Sequence, residues 1–246
     1  MKVRETPARW LDRNVAFSHN PDYPLPLETE LRAHADDTKI SALLYGGLRV
    51  IAFDPGGTTG WSMMGVDPFK LLDRKVRPHE CITHWYHGEI DCGSQSGSAG
   101  NAAEAHGTDL GQAESGEAAG AAMCERLIGI AGAGKTAVVL EDFILRTQSQ
   151  SRDALSPVRI IARIEQLLWE TKTVPDPFKQ QPSEAKTTVT DERLKQWGFW
   201  VPGSRHARDA DRHAILFIRK VREQRSKVYA AWPVLGIAIE RGLIKL

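Results

Sequence analysis

Residues 48–61 read Leu48-Arg49-Val50-Ile51-Ala52-Phe53-Asp54-Pro55-Gly56-Gly57-Thr58-Thr59-Gly60-Trp61. The first seven are apolar and β-branched at their centre, which predicts a buried strand ending on an acid. Residues 55–60 then predict a tight turn, and 61–66 the returning strand of a hairpin. Working outward, a third strand is expected at 82–90. An Ala-rich helix should follow, running to about Ile130, with Met123, Leu127 and Ile130 on one face. Residues 136–144 predict a strand whose apolar centre suits the middle of a sheet. Ser156 offers an N-cap with Pro157 at the first helical position. Val158, Ile161, Ile164 and Leu168 would share a face of that helix. A short strand at 178–181, one or two short helices within 183–197 and a last helix at 205–222 complete the pattern. The order β-β-β-α-β-α-β-α predicts an α/β fold, a mixed sheet with helices on its faces.

The flanks read differently. Three prolines within residues 20–26 deny a helix there, residues 27–44 suit one helix, and Gly46-Gly47 ends it. Residues 1–46 are thus expected to be an N-terminal extension, 47–222 the main domain and 223–246 an apolar C-terminal tail. Residues 92–108, CGSQSGSAGNAAEAHGT, are expected to form a flexible loop.

The chain has 246 residues, 41% of them hydrophobic, with 32 Lys+Arg against 31 Asp+Glu. These values exclude a fully disordered chain, a fibrous repeat and a disulfide-rich miniprotein. No apolar run approaches the roughly 20 residues that span a bilayer, and the first residues lack the apolar core of a signal peptide. A cytoplasmic location is the expectation, and three cysteines suit a reducing compartment. Charge is unevenly placed. Residues 1–123 hold 11 basic and 17 acidic residues, and the remainder 21 and 14. From residue 146 onward the count is 19 basic to 11 acidic, which fits a polyanionic partner.

Three features carry candidate chemistry. Asp54 ends the first strand before a Gly-rich turn. Glu141 stands near the end of the strand at 136–144, where alternation allows only one of Glu141 and Asp142 to face a given side. His206 and Asp209 lie three apart on the last helix and share a face. Such a set clusters oxygen ligands of the kind that suit Mg²⁺ or Mn²⁺. Taken singly, each also reads as a turn acid, a solvated strand end or a surface helix pair.

In this order the motifs resemble those of the RuvC-like Holliday junction resolvases, phage-type, of the ribonuclease H-like superfamily. RVIAFDPGGTTGW resembles the first motif, with Asp54 as metal ligand, and AVVLEDF the second, with Glu141. KQQPSEAKTTVT resembles the segment whose lysine contacts the phosphate near the cut, which is Lys186 here. RHARDADRHAI resembles the last helix, with His206 and Asp209 completing the site. The resemblance spans about residues 48–220. It implies a ribonuclease H-like five-stranded mixed sheet with helices on both faces, two Mg²⁺ or Mn²⁺ ions per site, and paired nicks in a four-way DNA junction. Arg146, Arg152, Lys179, Lys186, Arg205, Arg208 and Arg212 flank the motifs and are candidate DNA contacts. The aromatic wedge of the familiar enzymes falls at Ile144 here, with Phe143 one residue earlier.

Other readings compete. Gly129–Thr136 fits G-x-x-x-x-G-K-[ST], but helix precedes it and strand follows, the reverse of a phosphate-binding loop, so no ATP is expected. His79, Cys81, His84, His87 and Cys92 crowd 14 residues without a C-x₂-C pair, and are read as scattered strand residues rather than a zinc site. An actin/hexokinase-like ATPase shares the first loop but needs a second Gly-rich half, and a non-catalytic DNA-structure binding module would not need the acidic set. Two opposed cuts need two sites, so a homodimer is expected, with Ile160, Ile164 and Leu167 a candidate contact.

Overall fold

The computed structural model describes residues 27–93, 113–132, 134–143, 152–171, 175–223 and 225–244. In chain order the elements are α1 (Leu27–His34), α2 (Asp37–Tyr45), β1 (Leu48–Asp54), β2 (Thr58–Val66), α3 (Pro68–Leu72), a 3₁₀ turn (Pro78–Cys81), β3 (Ile82–Asp91), α4 (Ala113–Ala131), β4 (Thr136–Glu141), α5 (Arg152–Thr171), β5 (Phe178–Gln180), α6 (Pro182–Thr188), α7 (Asp191–Trp197), α8 (Arg205–Glu223), α9 (Arg225–Ala230) and α10 (Pro233–Glu240).

The strands form one sheet in the order β3-β2-β1-β4-β5. β1–β2 and β2–β3 are antiparallel, and β1–β4 and β4–β5 parallel. This is a five-stranded mixed sheet, as the motif order implied. Alternation along β1 and β4 divides the core in two. Leu48, Val50, Ala52, Ala137 and Val139 pack with residues of α8 and with Leu27, Ile40, Trp232 and Leu235 from the terminal helices. Ile51, Phe53, Val138 and Leu140 face α4 and α5. Both faces of the central strands are covered, which is why these strands read as continuous apolar runs. Among the described residues, no helix is long and apolar enough to cross a membrane.

Several boundaries differ from expectation. The single helix expected at 27–44 is two, because the Asp36 side chain accepts from the Lys39 N–H at 2.7 Å and caps a new start. β2 begins at Thr58, so the turn is shorter; the Thr59 hydroxyl closes it by donating to the Gly56 carbonyl at 2.9 Å. Helix α5 starts one turn before Ser156, with Pro157 inside it. Burial of Ile160, Ile161, Ile164 and Leu168 outweighs the hydrogen bond that Pro157 forgoes, while Val158, expected inward, is 43% exposed.

The inward face of α4 is also corrected: Ala121, Cys124, Ile128 and Ala131 are buried, and Ile130 is 62% exposed. Small residues face in because α4 runs close to the sheet. A Cβ on Gly120 would lie 2.4 Å from the Cys92 sulfur. The expected loop is described only at Cys92 and Gly93, and residues 94–108 lie outside the described residues, as do residues 1–26 and Ile144.

The two motif decoys have structural accounts. Helix α4 ends at Ala131 and β4 starts at Thr136, so the helix comes before the strand, the reverse of a phosphate-binding loop. The Thr136 hydroxyl donates to the Gly132 carbonyl at 2.6 Å. Of the residues read against zinc, Cys81 and Cys92 belong to cores on opposite sides of the sheet. His79 stacks on Trp197 at 4.4 Å, and His87 bonds Asp211.

Candidate active site

Phe53 of β1 and Leu140 of β4 pair in parallel register, so Asp54 and Glu141 follow side by side at the strand ends. Both continue the alternation that faces α8. The first turn of α8 reaches them across Gly60 of β2, where any side chain would collide. A Cβ there would lie 2.0 Å from the His206 carbonyl oxygen. Glu89 on β3 fixes the helix start, its carboxylate accepting from the backbone N–H of His206 at 2.9 Å and of Ala207 at 3.3 Å.

Asp54 is 8% exposed, and its Oδ2 meets His206 Nδ1 at 3.0 Å. Burial holds the Asp54 carboxyl above the usual range; its bond to His206 opposes this, and the charges of Glu141 and Asp209 reinforce it. The Asp54 hydrogen bond pushes His206 upward in turn. Asp209 is buried between Arg212, which bonds it directly, and Lys186, whose Nζ stands 3.2 Å from Oδ2. Asp54, Glu141, His206, Asp209 and Lys186, from four elements, therefore converge on one side of the sheet.

Sequence reasoning missed the support behind Glu141. His213, 1% exposed, places Nε2 at 2.8 Å from Glu141 Oε2. The Gln180 amide sits 3.1 Å from His213 Nδ1, and with its nitrogen turned to donate there, the imidazole proton is on Nε2 and is given to Glu141. The signal was in the sequence: 206, 209 and 213 follow the i, i+3, i+7 spacing of one helix face. Asp211 was also missed. Fully buried, it accepts from Trp85 Nε1 at 2.7 Å and from His87 Nδ1 at 2.8 Å, tying β3 to α8.

The candidate DNA contacts separate. Lys186, Arg205, Arg208 and Arg212 line a cavity of about 460 Å³ together with Asp191, Glu192 and Asp209. Arg208 lies 4.4 Å over the Trp200 ring and donates to the Val201 carbonyl at 2.9 Å. Arg212 is an internal tie rather than a surface cation: it is 9% exposed and bonds Asp209, Asp191 and the Val189 carbonyl. Lys179 sits between Phe178 and Gln180, which face α8, and it pairs with Glu165 of α5 at 2.8 Å, away from the cluster. Arg146 lies outside the described residues, and Arg152 opens α5.

The donor chemistry suits a hard divalent cation: three carboxylates, one of them desolvated and raised by its neighbours' charge, with an imidazole beside them. As the side chains stand, no three His, Cys, Asp or Glu among the described residues form a closed metal-ligand group. One oxygen of Asp54 bonds His206 and one of Glu141 bonds His213, while the two of Asp209 meet Arg212 and Lys186.

No protein-family model matches the chain. No curated protein sequence matches it. Among solved structures, RuvC of Thermus thermophilus in complex with a Holliday junction substrate is similar at a TM-score of 0.48 and 16% identity, covering 72% of this chain and 96% of that one. A second Thermus thermophilus RuvC structure has a TM-score of 0.44 at the same identity and coverage.

Proposed function

We propose that the chain is a divalent-metal-dependent endonuclease that cuts branched DNA, and that it resolves four-way junctions by paired nicks. The observation that carries the reading is the convergence of Asp54, Glu141 and Asp209 from two strand ends and one helix, with burial and mutual repulsion raising Asp54. The motif order read in the sequence supports the same assignment, and Lys186, Arg205 and Arg208, which line the cavity beside Asp209, suit a phosphate backbone.

Asp54, Glu141, Asp209 and His206 would hold Mg²⁺ or Mn²⁺, two ions per site. A divalent ion there supplies Lewis acidity, easing ionisation of the attacking water and neutralising the departing 3′ oxygen. Asp54 would be the central ligand of the set because it ends the middle strand of the sheet. His206 has Nδ1 committed to Asp54, which leaves Nε2 either to join the ligands or to orient the attacking water. Lys186 exchanges its contact with Asp209 for the scissile phosphate and offsets charge that builds there. His213 and Gln180 keep Glu141 turned toward α8.

A labelled four-way junction incubated with the purified protein and Mg²⁺ tests this. Symmetric nicks on opposed strands, absent in EDTA, are expected. Cleavage that persists in EDTA, or none with Mg²⁺ or Mn²⁺, contradicts it.

A further inference from the structure

A second cavity, of about 500 Å³, lies on the same face of the sheet but further along α8. Ten residues separate Asp209 from Arg219, about 15 Å of helix. Its floor is apolar, formed by Val189, Trp197 and Ile215, and its rim carries Arg77, Arg193 and Arg219. Among the described residues, the only acid lining it is Glu223, already bonded to Arg219 at 2.9 Å.

The walls are tied together. Arg222 reaches from α8 to the carbonyls of Leu71, Val76, Lys70 and Asp73 and to the Cys81 sulfur, fastening the segment that presents Arg77. His79 stacks on Trp197 at 4.4 Å with 13° between the rings, fastening the same segment to α7. Arg193 directs one nitrogen to the Thr188 carbonyl and Arg219 its Nε to Glu223, which leaves further N–H groups on both guanidiniums. A cavity of this volume suits a small organic ligand. Guanidinium groups over an apolar floor suit a phosphate ester carrying a planar ring.

We propose that this cavity binds a nucleotide, its phosphate held by Arg77, Arg193 and Arg219 and its base laid against Val189, Ile215 and Trp197. The nucleotide is either free or part of a DNA strand; the chemistry is shared. The site stands apart from the acidic cluster, and its occupancy does not depend on cleavage.

Calorimetry on the full-length protein in EDTA at low salt tests the assignment without the cleavage reaction. The ligands are deoxythymidine monophosphate, deoxythymidine, inorganic phosphate and a 5′-phosphorylated eight-nucleotide oligothymidine. Saturable binding of the monophosphate is expected, at least tenfold tighter than either the nucleoside or phosphate. The double variant Arg193→Gln/Arg219→Gln should lose that binding at least tenfold, while Lys186→Ala binds as wild type. If the oligonucleotide binds more tightly than the monophosphate, and the double variant removes the difference, the site takes strand DNA. Equal affinity identifies the free nucleotide. Absence of monophosphate binding, phosphate binding as tight as the nucleotide's, or a double variant that binds normally while its unfolding transition matches wild type would each overturn the proposal.

Discussion

At Asp54 burial and the charges of Glu141 and Asp209 act in one direction and His206 in the other, with a net upward shift. A group raised on folding contributes stability at low pH and loses that contribution as pH climbs through its folded value. Asp54→Asn, which carries no charge, should therefore unfold at neutral pH no lower than wild type. Its advantage should shrink as pH falls below the carboxylate range, as thermal melts across pH 3–8 on an order-of-magnitude scale of a few degrees would record. The same variant should bind junction DNA and fail to cut it; wild-type cleavage rates would remove Asp54 from the mechanism. His213→Ala has a different signature. It strips Glu141 of a donor and leaves the Gln180 amide without its imidazole partner, at about 1–3 kcal/mol in denaturant unfolding. If His213 orients Glu141, the Mg²⁺ concentration for half-maximal cleavage should also rise by about 10- to 100-fold, a shift that loss of stability alone does not give.

The packing of α8 against β2 sets how near the helix can bring His206 to Asp54, and two glycines of β2 separate cause from coincidence. A Cβ at Gly60 meets first the backbone of His206, whereas one at Gly65 meets first the imidazole of the exposed His84. Gly60→Ala should cost about 3 kcal/mol or more and abolish cleavage, since backbone must move; Gly65→Ala should cost far less, because the His84 ring can swing away. Urea midpoints of the two variants give the comparison. The elements themselves were largely legible: β1, β3, the paired short helices and α8 fall within two residues of their expected bounds, because period-2 and period-3.6 patterns are local. What failed was competition between local signals. Ser156-Pro157 reads as a helix start, yet burial further along α5 carries the helix through it, and Asp36 breaks what the apolar spacing joined. Order of elements decided the decoy at Lys135, and Lys135→Ala should leave junction cleavage within a few-fold and reveal no ATP binding in equilibrium dialysis.

Across the whole molecule, the partners that complete the site are far apart in sequence. Glu89 caps a helix 117 residues away, and Asp211 holds Trp85 and His87 from beyond 120. Nothing local announces such pairs; they exist because the sheet order sets β3, β2 and β1 under one helix. The sequence therefore exposed the candidate ligands, which sit in motifs, and concealed the groups that orient them. The same reasoning relocates the expected self-association. Ile160 and Ile164 are fully buried in this chain's own core and Leu167 packs partly against it, so the face of α5 open to a partner is its outer side, where Val158 is 43% exposed. A four-way junction still needs two opposed cuts, and each chain brings one acidic cluster. Two-fold pairing remains the simplest way to supply both. Light scattering at micromolar protein should then report twice the 27.3 kDa chain mass, with or without junction DNA. Val158→Glu tests the face: it should halve the mass if the outer side of α5 forms the contact and leave it unchanged if another surface does. A single-chain mass under both conditions would exclude the dimer and leave a nuclease that nicks one strand at a time.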